Sequence, residues 1–142
     1  MSHQVRVLFV CTGNSARSQM AEAFARRIGA GQVEASSAGI DPRGLHPITV
    51  EVMAEKGINV SRQASKALTD EMLRKADYVV TVCGHADEHC PALPSHVRKL
   101  HWPIDDPAIL SGRAPEEVLA AFRTARDELE SRVRKFLSTL ER

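Results

Sequence analysis

Two short apolar stretches, each followed directly by a cysteine, place the strongest constraint on how this chain can fold. The first is VRVLFV over residues 5–10, before Cys11, and the second is YVVTV over residues 78–82, before Cys83. Short, nearly continuous apolar runs are typical of strands that are buried on both faces of a parallel sheet. Because ligands bind at the carboxyl ends of such strands, we expect Cys11 and Cys83 to lie on one functional edge of the sheet.

Helical periodicity alternates with these strands along the chain. Helices are predicted from Ser18 to a stop at Gly29, over residues 47–56, within LTDEMLRKA after a Thr69 cap, and from Pro115 to about Leu140. Two further strands are predicted, at residues 33–39 and within HVRKLHW. The alternation predicts an α/β fold: a single three-layer domain over residues 1–142, with a parallel, about four-stranded sheet and helices on both faces.

The composition narrows the classes of partner. The 142 residues include 19 basic and 18 acidic side chains, so no strong attraction to nucleic acid or to a membrane is expected. The N-terminal MSHQVRV lacks the apolar middle region of a signal peptide, and we expect a cytoplasmic monomer. In a reducing compartment, three cysteines favour catalysis, redox sensing or metal binding over a structural disulfide framework.

The first candidate site is CTGNSARS, which links the first strand to the first helix. Small residues and a helix N-terminus allow backbone N–H groups to point inward and form a cradle for an anion. Arg17 can hold a tetrahedral oxyanion with its planar guanidinium, and the same positive field favours the Cys11 thiolate, which is the nucleophilic form. The predicted oxyanion-binding residues are Thr12, Gly13, Asn14, Ser15, Ala16, Arg17 and Ser18. The competing interpretation is a buried cysteine followed by a solvent-facing arginine.

The second candidate site is CGHADEHC, with Cys83 and Cys90 seven residues apart. If this segment is helical, the two Cα atoms are separated by roughly 10.5 Å along the axis, whereas a disulfide needs about 4.4–6.8 Å. A Cys83–Cys90 disulfide therefore requires the helix to unwind. Two alternatives stay open: Cys83 as a small core residue, and zinc held by both cysteines with His85 and His89. Four ligands within eight residues do not easily surround one metal, so no metal site is predicted and both histidines are expected to face solvent.

The third candidate site is WPIDDPA, where Asp105 and Asp106 precede Pro107. Proline restricts the preceding residue to extended geometry, which can fix Asp106 so that it projects into a pocket. Without other information, these two residues could equally be turn-forming aspartates.

The motifs FVCTGNSARSQMAE, SAGI, VVTVCGHADEHCPALP and HWPIDDPA follow one another in an order that resembles the thioredoxin-coupled arsenate reductases of the low-molecular-weight phosphatase fold. The resemblance covers essentially the whole chain. It implies that Cys11 is the nucleophile, that Arg17 binds the oxyanion, that Asn14 and Ser18 shape the loop and support the thiolate, and that Asp106 is the general acid. Many relatives carry a second cysteine where this chain has Ala16, so any disulfide partner of Cys11 must come from elsewhere.

The resemblance further implies a reaction. Arsenate is attacked by Cys11, Cys83 then displaces arsenite, and Cys90 moves the disulfide outward for reduction by thioredoxin, with no tightly bound cofactor. Phosphate or sulfate would act as substrate analogues. Ala108 stands where phosphatases of this fold usually carry an aromatic residue, and the RSQMAE sequence also resembles the reductases.

Several alternatives to this reaction remain. The chain could be a low-molecular-weight phosphatase acting on phosphotyrosine or aryl phosphates, or a reductase with residual phosphatase activity. A thiol redox sensor is the non-enzymatic alternative. Glutaredoxin or a small thiol could replace thioredoxin as the electron donor.

Some members of the family bind a monovalent cation beside this loop, at positions like Asn14 and Ser37 together with an acidic residue. In this chain Lys66 stands where that acid is expected, and its ammonium is a candidate for the place of the cation. Potassium dependence is therefore not expected.

Overall fold

The computed structural model describes residues 4–110 and 113–140, so the predicted domain limits of 1 and 142 lie outside the described residues. The elements, in chain order, are β1 (Val5–Cys11), α1 (Arg17–Ile28), β2 (Val33–Gly39), α2 (Pro47–Ala54), α3 (Asp70–Lys75), β3 (Tyr78–Thr81), α4 (Gly84–His89), β4 (Arg98–His101), a 3-10 turn (Pro107–Leu110) and α5 (Pro115–Leu140). This succession confirms the α/β fold class that the sequence predicts.

The sheet has four parallel strands in the order β2-β1-β3-β4. Strand β1 is central, and every residue from Val7 to Cys11 is buried although alternate side chains point to opposite faces. Both faces of the sheet are therefore covered, as expected of a parallel sheet. In this register Cys11 lies opposite Gly39 of β2, and Val10 lies opposite Thr81 of β3. The carboxyl ends of the three strands thus meet at one edge.

The long helix α5 packs against α1 and α2. Phe24 of α1 is fully buried, and so are Phe122 and Leu129 of α5. Burial of one face in this way, rather than intrinsic helix propensity, stabilises an amphipathic helix of a globular protein. Within residues 4–110 and 113–140, no helix combines the length and the apolar character that crossing a membrane requires.

An ion-pair cluster joins the end of α2 to α5. Glu55 accepts a hydrogen bond of 2.6 Å from Arg123 and another of 2.6 Å from Arg126. Arg126 also donates to the carbonyl oxygen of Val52 at 3.0 Å. The hydrogen bonds from the two arginines, first Arg123 and then Arg126, lower the pKa of Glu55 from 4.5 to about 2.

Several predicted boundaries differ from the structure by one or two residues, and two of the differences have a clear local cause. Helix α2 ends at Ala54 rather than at residue 56, because Gly57 adopts a left-handed φ of 75° and the chain reverses so that the Ile58 N–H bonds to the Met53 carbonyl. Strand β3 ends at Thr81 rather than at Val82, because Cys83, the residue after Val82, already caps helix α4.

Candidate active site

The loop between β1 and α1, residues 11–18, is called the anion loop below. Four of its carbonyl groups accept hydrogen bonds from the segment that follows β2. The N–H groups of Ile40, Asp41, Arg43 and His46 donate to the carbonyl oxygens of Cys11, Thr12, Gly13 and Ser15, respectively, over 2.8–3.1 Å. With its acceptors engaged on one side, the loop is free to present donors on the other.

Those donors are the backbone N–H groups of Gly13, Ser15, Ala16 and Arg17, for which no acceptor is found among the described residues. Ala16 is the N-cap of α1 and makes no side-chain cap hydrogen bond. The first N–H groups of α1 are therefore available to a ligand, and the partial positive charge of the helix terminus adds to them. A turn of free N–H groups at such a terminus is a site for an oxyanion.

Asn14 holds the anion loop in shape. It is fully buried with a left-handed φ of 47°, a conformation that asparagine tolerates better than most residues. Its Oδ1 accepts the Lys66 N–H at 2.8 Å, which fixes the orientation of the amide. Its Nδ2 then donates to Ser18 Oγ at 2.7 Å and to Ser37 Oγ at 3.0 Å.

This network leaves the hydroxyl hydrogen of Ser18 free for the sulfur of Cys11. Because Ser18 Oγ accepts from the Asn14 amide, its own hydrogen is available to Cys11 Sγ, which lies 2.8 Å away. The Asn14 backbone N–H points to the same sulfur at 3.2 Å. Two donors can therefore converge on the sulfur of Cys11, a residue that is 2% exposed.

Gly39, at the end of β2, packs so closely against the anion loop that no side chain fits at this position. A Cβ atom at Gly39 would lie 2.6 Å from the Thr12 carbonyl oxygen and 2.9 Å from Asn14 Cβ. Both of these atoms belong to the anion loop, so neither can move without disturbing the site. The glycine that ends the second predicted strand is thus required by packing.

Arg17 and Asp106 meet beside the anion loop, although they are far apart in the sequence. Arg17 Nη1 donates to the Ile104 carbonyl at 2.9 Å, and its Nη2 lies 3.6 Å from Asp106 Oδ2. Asp106 Oδ1 in turn accepts the Ala108 N–H at 3.0 Å, at the start of the 3-10 turn. Arg17 is thereby oriented by a carbonyl and a carboxylate, and Asp106 is held with about half of its side chain exposed.

A cavity of about 550 Å³ joins these groups, with Cys11, Arg17 and Asp106 in its walls. Asp105 does not line this cavity; it faces a separate one against α5. Three polar residues that the sequence did not place at this site, Arg43, His46 and His85, also line the cavity.

His46 could have been found from the sequence, because it directly precedes a proline at the first position of α2. Its Nδ1 accepts the Ile48 N–H at 3.1 Å and so caps the helix. Burial lowers the pKa of His46, and the charge of Asp106 opposes that shift. His85 is exposed as predicted, yet it also forms part of the cavity wall, which depends on the direction of α4 and has no local sequence signal.

Cys83 contacts the anion loop. Its Sγ lies 3.3 Å from Thr12 Oγ1, directly beyond the end of β1, and its side chain is buried. The expectation that the two strand-terminal cysteines share one edge of the sheet is confirmed. Cys83 Sγ also accepts the Ala86 N–H at 3.3 Å and caps helix α4.

Cys90 lies at the opposite end of α4 and does not line the cavity. Burial raises the pKa of its thiol, with Lys99 opposing and Asp87 reinforcing the shift. The segment between Cys83 and Cys90 is helical from Gly84 to His89, which meets the condition set from the sequence, so a disulfide cannot span the two cysteines without rearrangement.

The structure gives no support to a zinc site at these cysteines. In the part of the chain that is described, no three His, Cys, Asp or Glu side chains are placed to hold a metal ion. The rings of His85 and His89 stack on each other at 4.1 Å, and His89 Nδ1 is engaged with the His85 carbonyl.

Comparison with known proteins places these features in a family. Residues 6–142 match the family described as low molecular weight phosphotyrosine protein phosphatase. The arsenate reductase of Halalkalibacterium halodurans is 46% identical over 133 residues, which are 94% of this chain and 95% of that protein.

Solved structures agree with this. An arsenate reductase in the phosphate-binding state superimposes with a TM-score of 0.79 at 31% identity, over 97% of this chain and 100% of that chain. The thioredoxin-dependent arsenate reductase of Corynebacterium glutamicum gives 0.78 at 32% identity, over 99% of this chain and 63% of that chain. An arginine phosphatase from Geobacillus stearothermophilus gives 0.79 at 30% identity, over 96% and 93%.

Proposed function

We propose that this chain, which belongs to the low molecular weight phosphotyrosine protein phosphatase family, reduces arsenate to arsenite through Cys11, Cys83 and Cys90, with thioredoxin as the external reductant. The observation that carries the proposal is the 3.3 Å contact between Thr12 of the anion loop and Cys83 Sγ. A hydrolytic enzyme has no use for a second thiol at the rim of its oxyanion site, whereas a reductase needs one.

Binding and attack use the anion loop. Its free N–H groups and the Arg17 guanidinium hold the arsenate oxygens, and the Cys11 thiolate, stabilised by Ser18 and the Asn14 N–H, attacks arsenic. A sulfur–arsenic bond forms, and one arsenate hydroxyl leaves as water after Asp106 protonates it. The proximity of Asp106 to Arg17 supports this role, because both groups then act on the same oxyanion.

Reduction uses the other two thiols. The Cys83 thiolate attacks Cys11 Sγ, a Cys11–Cys83 disulfide forms, and the electron pair of the sulfur–arsenic bond passes to arsenic, which leaves as arsenite. Cys90 then attacks Cys83, a Cys83–Cys90 disulfide forms, and Cys11 leaves as a thiolate. A thioredoxin dithiol supplies the two electrons that restore both cysteines.

The phosphatase alternative is supported by the similar fold of the arginine phosphatase. The cavity does not favour a phosphotyrosine substrate, because no aromatic ring other than the imidazoles of His46 and His85 lines it in the described part of the chain. Stacking of a phosphotyrosine ring would depend on such a side chain. We therefore assign phosphate-ester hydrolysis at most a residual activity at the same loop.

Potassium is not part of the proposal, because the side chains at the corresponding positions satisfy one another. Asn14 Oδ1 is occupied by the Lys66 backbone N–H. Ser37 Oγ donates to the buried Glu22 carboxylate at 2.6 Å, and Arg26 pairs with the same carboxylate at 2.9 Å. The Arg26 guanidinium therefore supplies a positive charge to this carboxylate, which supports a site that does not depend on potassium.

We expect the chain to act as a single-domain monomer. An arsenate assay with thioredoxin, thioredoxin reductase and NADPH tests the proposal. Wild type is expected to consume NADPH only when arsenate is present, while Cys83→Ser and Cys90→Ser stop after at most one turnover. The transfer of the disulfide from Cys11–Cys83 to Cys83–Cys90 is called the relay below. Full turnover by Cys83→Ser contradicts it. Efficient hydrolysis of an aryl phosphate by a wild type that is inactive on arsenate favours the phosphatase instead.

A further inference from the structure

Helix α4 is attached to the sheet through one carboxylate. Asp87 Oδ1 lies 2.9 Å from Lys99 Nζ of β4 and 3.1 Å from Thr81 Oγ1 of β3. The same ammonium donates to the Asp87 carbonyl at 3.1 Å. His101 Nδ1 lies 2.8 Å from Thr81 Oγ1 and completes the group. Asp87 and Lys99, with their support from Thr81, are called the clasp below.

Little else holds this helix. It has six residues, of which only Ala86 is buried, and Gly84, His85, Glu88 and His89 are exposed. Its N-terminus is capped by Cys83 Sγ, which is itself one of the reacting atoms. Among the described residues, every side-chain ion pair that joins α4 to a strand uses Asp87: it lies 2.9 Å from Lys99 and, as an ion pair only when His101 is protonated, 3.9 Å from His101.

The relay and the clasp make opposite demands on this segment. Formation of the Cys83–Cys90 disulfide requires the ends of α4 to approach, from roughly 10.5 Å in a helix to about 4.4–6.8 Å. Asp87 lies between the two cysteines, so it cannot keep its position on β3 and β4 while the helix unwinds. The sulfur cap on the Ala86 N–H is lost in the same step, because that sulfur becomes part of the disulfide.

We propose, on the basis of the function above, that Asp87 and Lys99 are positioning residues that hold the segment in its dithiol form and open when Cys90 displaces Cys11 from Cys83. In that step the Cys90 thiolate attacks Cys83 Sγ, the Cys11–Cys83 bond breaks, and Cys11 leaves with the electron pair, so no net oxidation occurs. The clasp therefore sets how readily the resulting disulfide is reduced by an external dithiol.

The direction of the effect follows from which state the clasp stabilises. Because its contacts exist only in the dithiol form, they favour reduction and raise the reduction potential of the Cys83–Cys90 couple. Removal of either partner makes the potential more negative and the disulfide harder to reduce. A partly exposed ion pair with one supporting hydrogen bond supports a change of roughly fivefold in the exchange equilibrium, which corresponds to about 20 mV for a two-electron couple.

The test measures the Cys83–Cys90 potential in dithiothreitol redox buffers, in a Cys11→Ser chain that keeps only these two thiols. Asp87→Asn and Lys99→Gln each remove one side of the clasp. Glu88→Gln is the matched control, because it removes a neighbouring negative charge that makes no ion pair or hydrogen bond among the described residues. A merely structural loss of stability, equal in both redox forms, leaves the potential unchanged.

We expect Asp87→Asn and Lys99→Gln to shift the equilibrium in the same direction, each roughly fivefold, and the double variant to shift it little further. Glu88→Gln is expected to stay within about twofold. A simple charge effect on the thiols would instead move the two single variants in opposite directions, and this result overturns the clasp. So does an unchanged potential in both variants. If no Cys83–Cys90 disulfide forms in the oxidising buffer, the relay fails and the clasp fails with it.

Discussion

The anion loop and helix α4 lie at the same edge of the sheet, yet they are built in opposite ways. In the loop, Cys11, Asn14 and Ser18 are buried to 2% exposure or less, and the bonds of the Asn14 side chain join them to β2 and to the segment beyond it. In α4 most residues are exposed, and one carboxylate supplies the attachment to the sheet.

This difference matches two kinds of chemistry. Stabilisation of an oxyanion requires donors that are in place before the substrate arrives, and a loop whose shape is fixed by the bonds of buried Asn14 and whose N–H groups stay free provides them. Transfer of a disulfide requires sulfur atoms to change partners, and a short, weakly held helix allows this. Within the described residues, the hydrogen-bond contact between the loop and the start of α4 is the one from Thr12 to Cys83, so the rigid part can stay in place while the other part rearranges.

The largest expected effect comes from the rigid region, at Arg17. Arg17→Lys replaces a planar fork with a single ammonium that cannot keep both the Ile104 carbonyl and the oxyanion in place. We expect kcat/KM for arsenate to fall by roughly 10²–10³-fold, as for the loss of a preorganised donor. Arg62→Lys, an exposed position outside the cavity, is the control and should leave kcat/KM unchanged.

Two glycines give a matched test of rigidity. Gly39→Ala forces a Cβ against the Thr12 carbonyl and should destabilise the fold by about 2 kcal/mol and weaken phosphate binding. Gly84→Ala has nothing within 4 Å of its Cβ and should leave the fold intact, with α4 stabilised by about 0.5 kcal/mol. Urea unfolding and phosphate titration measure both. Equal destabilisation by the two variants contradicts the contrast between the regions.

A smaller effect is expected at Ser18. Ser18→Ala removes the hydroxyl that lies 2.8 Å from Cys11 Sγ while leaving the backbone of α1 unchanged. We expect alkylation of Cys11 by iodoacetamide at neutral pH to slow by roughly tenfold, because one hydrogen bond to the thiolate is lost. The exposed Ser95→Ala serves as the control. An alkylation rate equal to that of wild type indicates that Ser18 does not support the thiolate.

The smallest effect concerns a site remote from both regions. Glu55→Gln breaks the contacts with Arg123 and Arg126 and should lower the thermal stability at pH 7 while leaving arsenate turnover unchanged at 25 °C. Since the pKa of Glu55 is about 2 in the fold against 4.5 unfolded, its contribution is fully present above pH 4.5 and is lost as the pH falls toward 2. Melting curves of both proteins should converge over that interval.

The sequence predicts the parts of this site that depend on local pattern. Strand β1, the loop after it and the strand before Cys83 follow from apolar runs that end at polar residues, and the parallel arrangement then places Cys11 and Cys83 at one edge. The separation of Cys83 and Cys90 follows from helix geometry alone, once α4 is present.

The parts that local sequence pattern does not predict depend on contacts between distant segments. Nothing near Asp106 in the sequence indicates that it lies beside Arg17, and nothing near Lys99 indicates that it reaches Asp87. The place of His85 in the cavity wall depends on how α4 packs, which periodicity does not determine over six residues. The carboxylate at the buried polar network is Glu22, which is hidden among the apolar residues of α1.

The most direct test of the account is a single turnover with arsenate in the Cys90→Ser chain, followed by acid quenching, thiol alkylation and mass spectrometry of the disulfides. The account predicts one arsenite released per chain and a Cys11–Cys83 disulfide that accumulates in equal amount. Release of arsenite without that disulfide, or no arsenite release from a chain that still binds the oxyanion, would contradict it.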